Sequence, residues 1–292
     1  MLPEKDNEEL YQRGLAYYQA GDYDRCRQTV EQLLQSDPQN GSVLTLKGMV
    51  LGELECPQEA IAALQQATQI DPDGPDGWYH LAIALMTVGE LPRAVEAFRA
   101  ALRIRPDDVA ALTDLSNVLF MMGNVHEALE TLQVARRLRP GDVSIVRNLA
   151  DMFVTAQKLD SALQTTRKIL DLRPDDVVAR TDAAWLNFQL NHLDEASAAF
   201  RTLKEMAPDA DHELYALHGL VMTEVKNCNW RRALEWAIEA TRIDRYEFTT
   251  LLLQFISSRL FDQESEVSEE ELNERFEAEY REHRRLCAEV PV

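Results

Sequence analysis

An all-α solenoid is the fold class that the 292-residue sequence predicts, and three regularities point to it. Pro38, Pro72, Pro106, Pro140, Pro174 and Pro208 stand 34 residues apart, a constant spacing that marks an array of equal units. Two columns of small residues keep the same period: Gly14, Gly48, Ala82, Ser116, Ala150 and Ala184, then Cys26, Ala60, Ala94, Ala128, Ala162 and Ala196. Large apolar residues surround them at three- and four-residue spacing, as in Trp78, Leu81, Leu85, Phe98 and Leu102, which is the pattern of a buried helical face. Each unit is therefore two helices that cross closely where the side chains are small.

Residues 1–6 are expected to be a flexible lead, followed by units at 7–40, 41–74, 75–108, 109–142, 143–176 and 177–210. Gly21, Gly89 and Gly123 fall between the paired helices, where a left-handed residue costs glycine least. Pro57 and Pro92 sit at the start of second helices, where a missing N–H is no loss. Asn40, Asp108, Asp142 and Asp176 end their units, placed to cap the next first helix. A degenerate seventh unit at 211–245 keeps Gly219 as its small residue, but Ala233 comes fourteen residues later instead of twelve and Arg245 takes the proline place.

Beyond the array, residues 246–261 predict a helix whose apolar positions wrap most of its circumference, from Phe248 and Leu251 to Leu260 and Phe261. A terminal cap should show a polar outer face, so this helix needs a second cover. Residues 262–292 read as an acidic linker and an amphipathic last helix, opened by the capping pair Ser268 and Glu271. Its stripe is Leu272, Phe276, Tyr280, His283 and Cys287, with Leu286 beside it. Folding back over 246–261 is the plainest role for that stripe. The alternatives are a seat in the array's own groove as an internal inhibitor, or a homodimer interface through 246–292.

The pattern resembles the tetratricopeptide repeat (TPR), a 34-residue helix-turn-helix. One unit fills its W, L-G/A, Y/L, A, F, A and P positions with Trp78, Leu81-Ala82, Leu85, Ala94, Phe98, Ala101 and Pro106. The resemblance implies a right-handed superhelical solenoid of about seven TPR units with two extra C-terminal helices. Departures stand at Arg13 and Lys47, at Thr166, and at Arg180 and Asn187, where the family places apolar residues.

Composition narrows the function classes. Thirty Lys plus Arg against fifty Asp plus Glu give a net charge of −20, which disfavours nucleic acid and anionic lipid as partners. No apolar run reaches the length of a membrane span. Cys26, Cys56, Cys228 and Cys287 lack metal-ligand spacing, and with the charged start MLPEKDNEEL they lead to the expectation of a cytoplasmic protein without a signal peptide. Histidines, carboxylates and glycines form no HExxH, GxSxG or phosphate-binding pattern, so neither catalysis nor a cofactor is expected.

In the family, the concave face is lined by the first helices, and what it implies here is a peptide-binding groove. Carried over position by position, the groove residues are Tyr11, Tyr18 and Met49 from the first two units and Tyr79, His80 and Met86 from the third. Asn117, Phe120 and Met121 follow from the fourth, Arg147, Asn148 and Asp151 from the fifth, and Trp185 and Gln189 from the sixth. Aromatic and Met side chains suit apolar anchors of a bound segment, and Asn suits its backbone. Asp114, Asp151 and Asp182 would attract Lys or Arg. The family's clamp for chaperone C-terminal carboxylates is missing, because Tyr11, Leu15, Leu46, Asp76 and His80 occupy its places. The expected function is a non-enzymatic adaptor or scaffold for a protein or peptide with apolar anchors and some basic character. A chaperone for a secreted or assembling subunit and a regulatory subunit of a separate enzyme are the alternatives.

Overall fold

The computed structural model describes residues 4–243, 247–261 and 268–289, and among them every regular element is an α-helix. The linker at 262–267 and the side chains of His283, Leu286 and Cys287 lie outside the described residues. The chain forms two compact units that part within one helix, between Ile145 and Val146.

Unit 1 holds four helix hairpins: α1 (Glu4–Gln19) with α2 (Tyr23–Ser36), α3 (Gly41–Glu53) with α4 (Pro57–Ile70), α5 (Pro75–Thr87) with α6 (Leu91–Ile104), and α7 (Val109–Met121) with α8 (Val125–Leu138). The first helix is already formed at Glu4, inside the segment expected to precede the array. Unit 2 holds most of α9 (Val143–Thr155), with α10 (Leu159–Leu172), α11 (Val177–Gln189) and α12 (Leu193–Met206). It ends in α13 (Ala210–Lys226), α14 (Trp230–Ile243), α15 (Glu247–Leu260) and α16 (Glu269–Glu289).

The small-residue columns lie where the two helices of a hairpin meet. Ala60, Ala94, Ala128, Ala162 and Ala196 are all fully buried, as is Cys26, whose thiol donates to the Gly14 carbonyl at 3.1 Å. A Cβ on Gly48 would come within 2.3 Å of Leu64 Cγ, and one on Gly219 within 2.4 Å of the Phe200 ring. Ends are fixed by side-chain caps. Asn40 accepts from Val43 N–H at 3.1 Å, Asp108 from Ala111 N–H at 3.1 Å and Asp176 from Ala179 N–H at 2.9 Å. Asp209 does the same for α13 through His212 N–H at 3.0 Å.

The turn inside each hairpin needs one left-handed residue, and these positions form a second 34-residue ladder. Gly21, Gly89 and Gly123 have φ near +73°, +79° and +80°, but Glu55, Gln157 and Asn191 occupy the same place at +57°, +56° and +62°. Side chains carry a conformational penalty there that glycine avoids. Glu55 and Gln157 are exposed, and a Cβ at Gly89 would meet nothing within 4 Å, so conformation alone separates the variants. Glu55→Gly and Gln157→Gly should each stabilise by about 0.5–1 kcal/mol, and Gly89→Ala should cost about 1 kcal/mol, read as opposite shifts of the urea midpoint.

Candidate binding faces of the two units

In unit 1 the first helices α1, α3 and α5 leave a cleft of about 310 Å³ on their shared face. Tyr11 and Leu15 of α1, Thr45 and Met49 of α3, and Asp76 and His80 of α5 line it. Gly41 and Gly77 also line it, and a Cβ on Gly77 would touch Thr45 Oγ1 at 3.4 Å. Acids border the opening: Asp71 and Asp76 line it, and Glu53, nearby on α3, accepts from the Tyr18 hydroxyl at 3.2 Å. Burial pushes the Tyr18 hydroxyl up to about 12, with the Glu53 carboxylate adding to it, so it stays a donor at neutral pH. Burial lowers His80, which keeps the ring neutral at pH 7.

Farther along the same unit, the Tyr79 hydroxyl donates to Asp114 Oδ2 at 2.8 Å, and its ring meets His80 and Phe98 edge-on. Burial raises both partners, the tyrosine further because of the carboxylate beside it. Met86, Asn117 and Phe120 are half-buried and Met121 is 64% exposed, but none of these four lines the cleft. Of the residues expected from the sequence, the cleft therefore joins Tyr11, Met49 and His80. Gly41, Ser42, Asp71 and Gly77, which also line it, carried no anchor-like side chain to find them by.

In unit 2 the corresponding face is filled. The last helix, α16, packs against α11 and α13, with a smaller contact to α15. Phe276 stands among Phe188, Phe200, Tyr215 and Phe248, with ring centroids between 5.3 and 6.5 Å away. One turn on, Tyr280 stacks flat on Trp185 at 4.4 Å, and its hydroxyl donates to Asp182 Oδ1 at 2.8 Å. Another turn on, Arg284 Nε donates to the same Asp182 oxygen at 2.7 Å, while Nη2 reaches Asp151. Fully buried His218 bridges Glu279 at 2.6 Å and Thr249 of α15 at 2.8 Å.

Trp185 and Asp151, expected to face a ligand, thus face the chain's own last helix. The same helix also covers α15, through Phe248. Burial opposes the charge on Arg284, and Asp182 with Asp151 more than offsets this, leaving the guanidinium firmly cationic. Burial, with Asp182 beside it, holds the Tyr280 hydroxyl far above its ordinary value. Arg147 pairs with Asp176, and Asn148 and Gln189 are half-buried. Tyr280, Arg284, His218 and Glu279 escaped the sequence reading as site residues. The available signal was α13, where Leu214 to Val225 is buried without interruption and its apolar stretches leave no consistently polar face.

The two acids that hold Arg284 differ in burial. The Asp182 side chain is 7% exposed and that of Asp151 44% exposed. Asp182→Asn should weaken α16 docking by about 2 kcal/mol, because a buried charge-assisted contact is lost, and Asp151→Asn by less than about 1 kcal/mol. Limited trypsin cleavage at exposed Arg281 should accelerate roughly thirty-fold in the first variant and only a few-fold in the second.

Among the described residues no helix is long and apolar enough to cross a membrane. Comparison with known families returns a profile described as tetratricopeptide repeat over residues 45–109, 79–143 and 113–177. A second tetratricopeptide repeat profile covers 153–221, and the Fis1 C-terminal tetratricopeptide repeat covers 7–55. No curated protein sequence matches. Among solved structures, the C-terminal part of a TPR repeat-containing protein from Cytophaga hutchinsonii is similar with a TM-score of 0.72 at 13% identity, over 83% of this chain and 99% of that one. Pseudomonas aeruginosa PilF is similar at 0.59 and 17% identity, over 72% and 96%. YrrB, described as a TPR protein with an unusual peptide-binding site, is similar at 0.50 and 19% identity, over 57% and 86%. At these identities the likeness is one of fold. With repeat profiles running from residue 7 to residue 221 over helix hairpins of matching period, the chain belongs to the tetratricopeptide repeat family.

Proposed function

We propose that this protein is an interaction scaffold, an adaptor that holds a segment of a partner protein on the first-helix face of unit 1. The observation that carries the reading is the cleft between α1, α3 and α5, which combines Tyr11 and Met49 with the bordering acids Asp71 and Asp76. An aromatic ring and a flexible thioether accept an apolar anchor of variable shape. Carboxylates beside them favour Lys or Arg next to that anchor, and the net charge of −20 steers basic segments toward the protein. Asp76 is 69% exposed and its pair with Arg105 is itself exposed, so exchanging it for a ligand cation costs little. The similarity to YrrB supports a peptide as the ligand.

A peptide array pairing one large apolar residue with flanking Lys or Arg tests this, followed by titration calorimetry on the best binders. Tyr11→Ala and Met49→Ala should each weaken binding about five- to ten-fold. Asp76→Lys should weaken it and flatten its dependence on salt. Selected peptides that bind all three variants as tightly as the parent would rule out the cleft as their site.

A further inference from the structure

The face of unit 2 is built as a receptor for an amphipathic helix, and we infer that α16 is a resident ligand which a partner helix of the same pattern replaces. The inference concerns unit 2 alone and does not depend on the reading of unit 1.

The first argument is the chemistry of the seat. A helix that served only as cover would need an apolar surface beneath it. Here the seat adds oriented polar recognition: Asp182 takes both the Tyr280 hydroxyl and Arg284, and His218 takes Glu279. The residues used on the helix are Leu272, Phe276, Tyr280 and Arg284, each four positions after the last, with Glu279 beside them. That pattern specifies the partner. It is a helix with an aliphatic or aromatic residue at i and i+4, a flat ring at i+8, a carboxylate at i+7 and an arginine at i+12.

The second argument is that α16 fits imperfectly. Trp185 Nε1 is buried beneath Tyr280 without a hydrogen-bond partner among the described residues, and Glu279 Oε2 is likewise unmet. Unpaired buried polar atoms subtract from the docking energy, so the resident helix holds its seat with less than the seat can offer. A partner helix that places an acceptor at Trp185 gains what α16 forgoes. The outer side of α16 carries Glu270, Glu274, Arg281 and Glu282 in contact with solvent, as suits a helix that is also stable in water when released.

The experiment uses the full chain and a fluorescein-labelled synthetic peptide of residues 268–289, followed by fluorescence anisotropy. Wild-type protein should bind this peptide weakly, because its own α16 holds the seat. The full-length variant carrying Tyr280→Ala with Arg284→Glu should bind it at least about ten-fold more tightly, since the competing occupant is weakened. Adding Trp185→Ala should abolish that gain, whereas Tyr11→Ala with Met49→Ala in unit 1 should leave it intact. Unchanged peptide affinity in the double variant, with helical content retained by circular dichroism, would overturn the inference. So would a wild-type dimer in which α16 crosses to a second copy. Should the double variant unfold, hydrogen exchange on the wild type decides: amides of α16 exchanging through a smaller opening than those of α13 support the inference, and equal protection of the two helices refutes it.

Discussion

Everything in this structure depends on how closely the two helices of a hairpin can approach. At Gly48 and Gly219 there is no room for even one methyl group, and the column from Cys26 through Ala60, Ala94, Ala128, Ala162 and Ala196 has no exposed surface. Close contact of backbones lets larger side chains on both helices interdigitate around the crossing, as Phe98 and Phe200 do. A helix that buries one face on its hairpin partner and another on the neighbouring hairpin still has a third. On the first helices of unit 1 that remaining face carries the cleft proposed above as the binding site, and on α11 and α13 it is met by α16.

The two units use it differently. Unit 1 leaves a cleft with Tyr11, Met49 and His80 at its wall. Unit 2 fills the same face with α16, and the consequence is visible in α13, whose residues from Leu214 to Val225 are buried on every side. Only a helix covered by its hairpin, its neighbours and a further element can be buried all round, with the few polar groups it carries there, such as His218, met by that cover. The apolar circumference of α15 has the same explanation, since Phe255 and Ile256 are fully buried and Phe248 stacks on Phe276.

How much of this was legible in the sequence follows from the range of the interactions involved. Period, caps and small-residue columns are local, so prolines, Asn40, Asp108 and the alanine ladder announced the hairpins directly. Substitutions that keep a role while changing residue type were not legible. Trp78 Nε1 donates to the Pro72 carbonyl at 2.9 Å, and Arg180, which looked like a defect, donates from Nε to the equivalent Pro174 carbonyl at the same distance. Asn187 likewise donates its Nδ2 to the Ala183 carbonyl at 2.8 Å. Amphipathicity told that α16 buries one face but not against what, because Tyr280 and Asp182 are 98 positions apart in the chain. In unit 1, Gly41 and Gly77 line the cleft without a side chain, and no search for anchor residues detects them.

Electrostatics carries the same division further. With a net charge of −20, an inward-facing carboxylate is costly unless something meets it. Asp182 is nearly sealed from water and is met from within the chain by Tyr280 and Arg284, so its charge is already engaged by α16. Asp114 in unit 1 is met by the neutral hydroxyl of Tyr79, and burial raises its pKa against the lowering effect of that hydrogen bond. Asp76 has a cation in Arg105, but on the exposed side, where water weakens the pair. Acids paired internally fix a helix in place, whereas acids left to hydroxyls and water keep their attraction for an incoming base. The repeat supplies both units with the same kind of helix hairpin, and these few carboxylates differ in what meets them: Tyr280 and Arg284 of α16 at Asp182, the Tyr79 hydroxyl at Asp114 and exposed Arg105 at Asp76.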